Sequence, residues 1–167
     1  MKSVCLDAHV LIWGLQGNAS SQRQEMIPKA KNFLKYLSEN NIIILIPSAV
    51  LAELLMYVPP EEHERFIQKF SISYQICPFG KKEAIYFGKI WYAKNNDKTI
   101  EEVKEDLKNL GISAKSKIKF DILIIATALA HKADKIISHD DDVKKLAEGF
   151  IKVEEIPDIP TQEKLNF

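Results

Sequence analysis

Four carboxylates stand at positions where they could bind a metal ion: Asp7, Glu53, Asp121 and Asp140. Each borders or enters a strongly apolar segment, where a charged side chain is costly unless it has a partner. Carboxylate oxygens suit hard divalent cations such as Mg²⁺ and Mn²⁺, and the sequence has no Cys/His spacing typical of zinc. A carboxylate cluster without histidine or cysteine ligands is a common arrangement for metal-assisted hydrolysis of phosphodiesters.

Each of these carboxylates, taken alone, also has a structural explanation. Asp7 and Asp121 could each cap a helix, which typically stabilises it by about 1 kcal/mol. Asp140, with its two acidic neighbours, could be a solvated helix start. Glu53 is harder to explain in this way, because its helical neighbours at three and four residues are all uncharged. It would need a distant lysine or arginine, a solvated gap in the apolar face, or a bound cation.

The elements that would position these residues alternate along the chain. Short apolar segments predict strands at residues 3–6, 42–46, 72–77, 135–138 and 150–153. Apolar residues at helical spacing predict helices at residues 8–15, 22–38, 48–57, 81–93, 99–110, 120–130 and 142–148. The helix at 120–130 is apolar on all sides, so we expect it to be buried. This alternation predicts an α/β fold with a mainly parallel sheet.

Parallel strands place their carboxyl ends at one edge of the sheet, where ligands bind in open α/β folds. That edge would hold Asp7, the turn before Ser48 and the turn after Ser138. The four carboxylates are therefore predicted to converge there.

Composition agrees with a globular chain. The 167 residues are 46% hydrophobic and 28% charged, which predicts one domain at 1–155 and an irregular, proline-containing tail at 156–167. The formal net charge is zero, so any nucleic-acid contact would need a local basic patch. Two cysteines within apolar segments suggest buried thiols in a reducing compartment. The first apolar segment is too short for a signal peptide or membrane span, which favours a cytoplasmic protein without membrane contact.

Four motifs occur in an order that resembles PIN-domain ribonucleases, in particular VapC-like toxins of toxin–antitoxin pairs. They are LDAHVLI at 6–12, SAVLAEL at 48–54, DILIIATA at 121–128 and SHDDD at 138–142. The resemblance spans nearly the whole chain, although Val143 stands where the family usually has an aromatic residue. It implies a three-layer α/β/α sandwich. It also implies a Mg²⁺- or Mn²⁺-dependent endoribonuclease that leaves a 5′-phosphate and a 3′-hydroxyl.

The resemblance further implies which residues act. Asp7, Glu53, Asp121 and Asp140 match the family's acidic quartet, and Asp142 matches its frequent fifth acid. As a hypothesis, Asp7, Asp121 and Asp140 bind metal, while Glu53 and Asp142 bind it directly or through water. The additional acid at position 141 leaves open which of the three consecutive aspartates are ligands.

The implied partners are an RNA substrate, an antitoxin protein and a second copy of the chain. Lys115, Lys117 and Lys119 alternate just before Asp121, so in an extended conformation they would share one face and could contact RNA phosphates. They could equally form an ordinary solvated edge. The helices predicted at 22–38 and 81–93 could supply a homodimer interface.

Two other functions fit parts of the sequence. Phosphatases of the haloacid dehalogenase type also begin with a strand ending in Asp, but they usually need a second acid two residues later, where this chain has His9. The other alternative is a catalytically silent PIN-like module that binds RNA or protein. Metal binding at the quartet distinguishes the nuclease from this module, because a module need not bind Mn²⁺ there.

Overall fold

The β-branched, uncharged segments of the chain form a parallel sheet in the computed structural model, which describes residues 2–111 and 113–159. The strands are β1 (Ser3–Leu6), β2 (Ile43–Pro47), β3 (Gln75–Cys77), β4 (Lys135–Ile137) and β5 (Val153–Glu154). Their order is β3-β2-β1-β4-β5, and each neighbouring pair is parallel. All four residues of β1 are buried, as expected for the central strand of a sheet covered on both faces.

Helices connect the strands and cover the sheet, which confirms the predicted α/β/α fold. They are α1 (Ala8–Leu11), α2 (Met26–Glu39), α3 (Ser48–Leu55), α4 (His63–Ser73), α5 (Lys81–Asn96), α6 (Thr99–Asn109), α7 (Ala114–Ala130) and α8 (Asp141–Ala147). A π-helical segment, Ile12–Gln16, continues α1, and short 3₁₀ turns lie at Ser21–Arg23 and Pro60–Glu62.

Helix α7 is the buried helix that the sequence predicts. It packs against α3, α5, α6 and α8, and also against β2 and β4. Ile122, Ile124 and Ile125 are almost completely excluded from solvent. The prediction is wrong about where this helix begins, because α7 starts at Ala114 and not at residue 120. Ile118 is fully buried and extends the apolar stripe of the helix by one turn, so the lysine-rich segment becomes its amphipathic start.

Two predicted strands are shorter or shifted. Residues 72 and 73 belong to the end of α4, where Phe66 stacks on Phe70 and Phe70 on Tyr74 at helical spacing. The predicted strand at 150–153 is wrong in most of its length. The amides of Phe150 and Ile151 instead donate to the carbonyl of Ala147 and close the end of α8, so pairing begins only at Val153.

The turn predicted at 95–97 is also shorter than expected, because α5 extends to Asn96. Ile156, the first residue of the tail predicted at 156–167, is buried, with only 2% of its surface exposed. Residues 160–167 lie outside the described residues, so the domain boundary stays a prediction. In the described ranges, no helix combines the length and apolar character needed to cross a membrane.

The segment that follows α1 packs closely on α2. A Cβ atom added to Gly14 would lie 2.5 Å from Cδ1 of Leu34 and 3.4 Å from the carbonyl carbon of Ala30. Glycine at position 14 therefore allows the two segments to approach, which fixes the path of the chain after Asp7.

We expect Gly14→Ala to lower the free energy of unfolding by about 1–3 kcal/mol, because the new methyl group overpacks this contact. Combining it with Leu34→Ala should cost less than the sum of the two single changes, because the shortened side chain leaves room for the methyl group. Urea unfolding of the wild type and the three variants measures the coupling. Additive losses would show that the contact with Leu34 is not the source of the strain.

Candidate metal centre

The candidate site lies at the carboxyl ends of β1 and β4, the two neighbouring strands at which the strand order reverses. This is the position at which open α/β sheets bind ligands. Asp7 directly follows β1, and its amide donates to the carbonyl of Ile137 at 3.1 Å. Ser138 and Asp140 follow β4 on the other side of the same crevice.

Three carboxylates converge at this edge. Asp121, Asp140 and Asp142 each offer one oxygen, and these oxygens all lie within 4.8 Å of one another. The ammonium group of Lys117 lies among them, with Nζ at 2.8 Å from Asp121 Oδ2, 2.8 Å from Asp140 Oδ2 and 2.9 Å from Asp142 Oδ2. The cation at the centre of the carboxylate group is therefore a side chain of the protein itself.

Asp121 enters the site from the interior of α7, seven residues after the helix begins. The alternative that Asp121 caps a helix is therefore wrong. Asp121 is only 5% exposed. Lys117 lies one helical turn before it, at the i, i+4 spacing that brings side chains together. The lysine-rich helix start and the apolar helix body thus place one cation beside one buried carboxylate.

The three consecutive aspartates have different surroundings. Asp140 caps α8, with Oδ1 accepting from the amide of Asp142 at 2.8 Å while Oδ2 faces Lys117. Asp141 points outwards, since 83% of its side chain is exposed and it pairs with Lys144 at 3.0 Å. The geometry therefore groups Asp140 and Asp142, and separates Asp141 from them.

Asp7 is buried, and each of its two carboxylate oxygens accepts a hydrogen bond. Its Oδ1 accepts from the amide of Ala8 at 2.7 Å, so it does cap α1, and its Oδ2 accepts from the hydroxyl of Ser138 at 2.7 Å. The Ser138 oxygen in turn accepts from the amide of Asp140 at 3.1 Å. Ser138 has no predicted role from the sequence, although its place as a polar residue at the end of a buried strand is the signal that could have indicated one.

Glu53 lies on α3 and is half-buried. It makes no ion pair within the described part of the chain, as its uncharged helical neighbours predict. Burial raises the pKa of Glu53, the charge of Asp7 raises it further, and His9 and Lys117 oppose this increase. Glu53 and Asp7 are not within the three-carboxylate group.

Charge and burial shift the proton affinity of the site. Burial raises the pKa of Asp121 to about 7, and the charges of Asp140 and Asp7 contribute, although Lys117 acts in the opposite direction. Burial acts to lower the pKa of Lys117, but the three carboxylates outweigh it and raise this pKa well above its usual value. For Asp7, the interactions with His9 and Ser138 outweigh burial and lower the pKa.

The predicted arrangement of Lys115, Lys117 and Lys119 on one face is wrong, because all three lie in a helix. Helical spacing places Lys115 and Lys119 on one side, where both are exposed, and turns Lys117 towards the carboxylates. The contact of these lysines with RNA stays a prediction, and for Lys117 the structure shows an ion pair instead.

A cleft of about 560 Å³ opens beside the carboxylate group. Its wall includes Lys117, Arg23, Tyr57 and Leu110, and the guanidinium of Arg23 lies 5.9 Å from the ring centre of the buried Trp13. Tyr57 and Leu110 are 60% and 72% exposed. The cleft therefore offers both apolar and cationic contacts next to the acidic centre.

The residues fit a hard divalent cation. Three carboxylate oxygens within 4.8 Å of one another provide the donor type that Mg²⁺ and Mn²⁺ prefer. The ammonium of Lys117 stands in for such an ion, because it shows that the three oxygens can turn towards one cation. Asp121, Asp140 and Asp142 are the residues that would bind the metal, with Asp7 beside them.

A doubly wound parallel sheet with an acidic centre at its switch point defines a class of α/β proteins, and comparisons with known proteins specify the family. The PIN domain family matches residues 4–149, so the chain belongs to the PIN domain family. A search of curated proteins finds no significant match.

Two solved structures share this fold. VapBC2 from Rickettsia felis, bound to a DNA fragment from its promoter, matches with 20% identity and a TM-score of 0.56, covering 92% of this chain and 98% of that one. DNA-bound VapBC from Salmonella typhimurium matches with 14% identity and a TM-score of 0.54, covering 94% of this chain and 100% of that one. At these identities the likeness establishes the fold.

Proposed function

We propose that this PIN domain is a metal-dependent endoribonuclease that hydrolyses RNA phosphodiester bonds through Asp7, Glu53, Asp121 and Asp140. The observation that supports this most is the convergence of Asp121, Asp140 and Asp142 around one cation position at the switch point of the sheet. PIN domains are a nuclease family, and the carboxylates of this chain fit the Mg²⁺ or Mn²⁺ that such hydrolysis requires.

In the proposed mechanism, Asp121, Asp140 and Asp142 bind the metal, and Asp7 completes the negative edge of the site. A divalent metal held by these residues would supply Lewis-acid activation of a water molecule and neutralisation of charge on the phosphate. Ser138 holds Asp7 by donating to Oδ2, so this carboxylate keeps its orientation. Glu53 has no ion-pair partner among the described residues, and its raised pKa suits a carboxylate that accepts a proton from the attacking water.

The proposed path for RNA runs through the cleft. Arg23 offers a cationic contact there, and the exposed Tyr57 and Leu110 offer surfaces for unpaired bases. Lys115 and Lys119, exposed on the first turns of α7, could add phosphate contacts near the site. Because the net charge is zero, these local cations would have to supply the attraction to RNA.

We also propose that the chain is the toxin of a toxin–antitoxin pair. Its fold matches chains from two VapBC complexes over almost their full length, which supports an antitoxin as partner. A homodimer is part of the proposal, and Ile85 and Tyr92 on α5 are 51% and 72% exposed and could contribute to its interface. Cys5 and Cys77 are buried and unpaired, which agrees with a cytoplasmic location.

The test is cleavage of a mixed RNA substrate by purified protein with Mn²⁺ or Mg²⁺, with EDTA and with EDTA followed by excess metal. We expect cleavage only in the samples with available metal. Cleavage that persists in EDTA would contradict the metal mechanism. Folded protein that binds Mn²⁺ but cleaves none of several RNA pools would favour a silent binding module instead.

Ser138→Ala should lower the cleavage rate by about 10- to 100-fold, the typical effect of removing a group that orients a metal-site carboxylate. The variant loses the hydrogen bond to Asp7 and the acceptor for the amide of Asp140, but keeps every carboxylate. Ser138→Thr is the matched control, because it keeps the hydroxyl group. Initial rates at saturating Mn²⁺ measure the effect, and an unchanged rate in Ser138→Ala would remove the positioning role.

A further inference from the structure

The ammonium group of Lys117 makes three short ion pairs at the same point, with Asp121, Asp140 and Asp142. An ammonium has three N–H donors, so each of its hydrogens can meet one carboxylate oxygen. Its Nζ–O distances of 2.8, 2.8 and 2.9 Å are those of charge-assisted hydrogen bonds. Lys117 therefore occupies the position that the carboxylates would otherwise offer to a metal ion.

Both cations cannot occupy this position together. The three oxygens lie within 4.8 Å of one another, which leaves room for one central cation. Mg²⁺ binds oxygen at about 2.0–2.1 Å, so it would draw the carboxylates closer than the ammonium does. A dication at this distance would also repel the positive charge of Lys117 strongly, since the site is partly buried.

The charge balance and the surroundings allow an exchange. Three carboxylates face a single ammonium, so the site keeps an excess of negative charge that attracts a dication. Lys117 is also one of the residues lining the cleft, and its side chain is 25% exposed. Its flexible four-carbon stem can therefore swing out of the carboxylate group into the cleft without any change in α7.

We propose that Lys117 is an internal competitor for the metal: its ammonium holds the carboxylates of Asp121, Asp140 and Asp142 in the metal-free protein and must leave before a divalent cation binds. This inference rests on the proposed function only in taking the same carboxylates as the metal ligands. Lys117 then lowers the affinity for the metal and stabilises the metal-free protein. The enzyme would become active only at a metal concentration high enough to displace its own lysine.

The test compares Mn²⁺ binding by the wild type and Lys117→Met, measured by isothermal titration calorimetry and by the electron paramagnetic resonance signal of free Mn²⁺. Methionine keeps the length and helix propensity of the side chain but removes its charge. We expect the Kd for Mn²⁺ to fall at least about tenfold, because the competing cation is gone. The metal-free variant should unfold at a lower temperature than the wild type, and saturating Mn²⁺ should raise its unfolding temperature by more.

Three further variants serve as controls. Lys117→Arg keeps a positive charge, although its planar guanidinium cannot repeat the three contacts of an ammonium, so its Kd and its metal-free stability should lie between those of the wild type and Lys117→Met. Lys115→Met and Lys119→Met remove a lysine from the same helix on its exposed side, so their Mn²⁺ affinities should not change. If Lys117→Met folds only with metal, the midpoint of Mn²⁺-induced refolding replaces calorimetry as the measure of affinity.

The outcomes separate this inference from the proposed function. A Kd in Lys117→Met that equals or exceeds that of the wild type overturns the competition, even if the wild type cleaves RNA. The expected decrease in Kd supports the competition, even if no RNA is cleaved and the nuclease proposal fails. Absence of Mn²⁺ binding in both proteins overturns both ideas.

Discussion

Asp7→Asn is expected to reduce RNA cleavage on the order of 100-fold or more, because it removes a buried negative charge beside the metal position. The fold should survive, since asparagine has nearly the same shape and its amide oxygen can still accept from the amide of Ala8. The bond with Ser138 must change direction, which should cost about 1 kcal/mol. Initial rates in Mn²⁺, with circular dichroism and urea unfolding, measure the two effects separately.

Asp141→Asn is the matched control for this experiment. It removes a carboxylate from the same edge of the sheet, but that side chain is 83% exposed and pairs with Lys144 outside the three-carboxylate group. Its cleavage rate should stay within about twofold of the wild type, because exposed ion pairs contribute little. Full activity in Asp7→Asn, or equal losses in both variants, would contradict the assignment of Asp7.

Ile122→Ala should lower the free energy of unfolding by about 2–5 kcal/mol, since it opens a cavity in the centre of the core. Ile122 is completely buried on α7, the helix that contacts four other helices and two strands. Little of the surrounding structure can collapse into the space, because it is held by packed elements on all sides. Urea unfolding followed by circular dichroism measures the loss.

Leu129→Ala is the matched control, because it also removes side-chain volume from α7. Leu129 lies two turns after Ile122 on the same stripe of the helix. Leu129 is only half-buried, so we expect a clearly smaller loss of stability. At low temperature, where Ile122→Ala remains folded, its cleavage rate in Mn²⁺ should match that of the wild type. Equal destabilisation by the two changes would show that the centre of α7 is not the most tightly packed part of the core.

The sequence was sufficient to predict the fold and the meeting of Asp121 and Asp140 at one sheet edge, whereas Asp7 and Glu53 lie outside the three-carboxylate group. A charge within an apolar segment has few explanations, and parallel strands place their carboxyl ends together, so Asp7, Glu53, Asp121 and Asp140 could be selected without coordinates. The assignment of these four residues to catalysis stays a prediction. Membership of the PIN domain family agrees with the resemblance on which that prediction was based.

The ion pairs of Lys117 could not be predicted, because they depend on where α7 begins. With the helix starting at residue 120, the lysines before it would lie in an extended segment, and their alternation would place them on one face. In the structure the helix begins at Ala114, and Ile118 on its second turn is fully buried. Because residues 114–119 are helical and not extended, Lys117 faces the carboxylates. The bridging role of Ser138 depends likewise on the register of β1 and β4.

The hydrogen bond between Ser138 and Asp7 joins residues 131 positions apart. During synthesis on the ribosome, the first strand and its aspartate emerge long before Ser138 and Asp140, which lie at the same sheet edge. Contacts at such sequence distance form late, because a long loop must close before they contribute. A nascent chain therefore cannot assemble its acidic centre until residues 138–142 have left the ribosome. Synthesis itself therefore sets the earliest point at which the acidic centre can form.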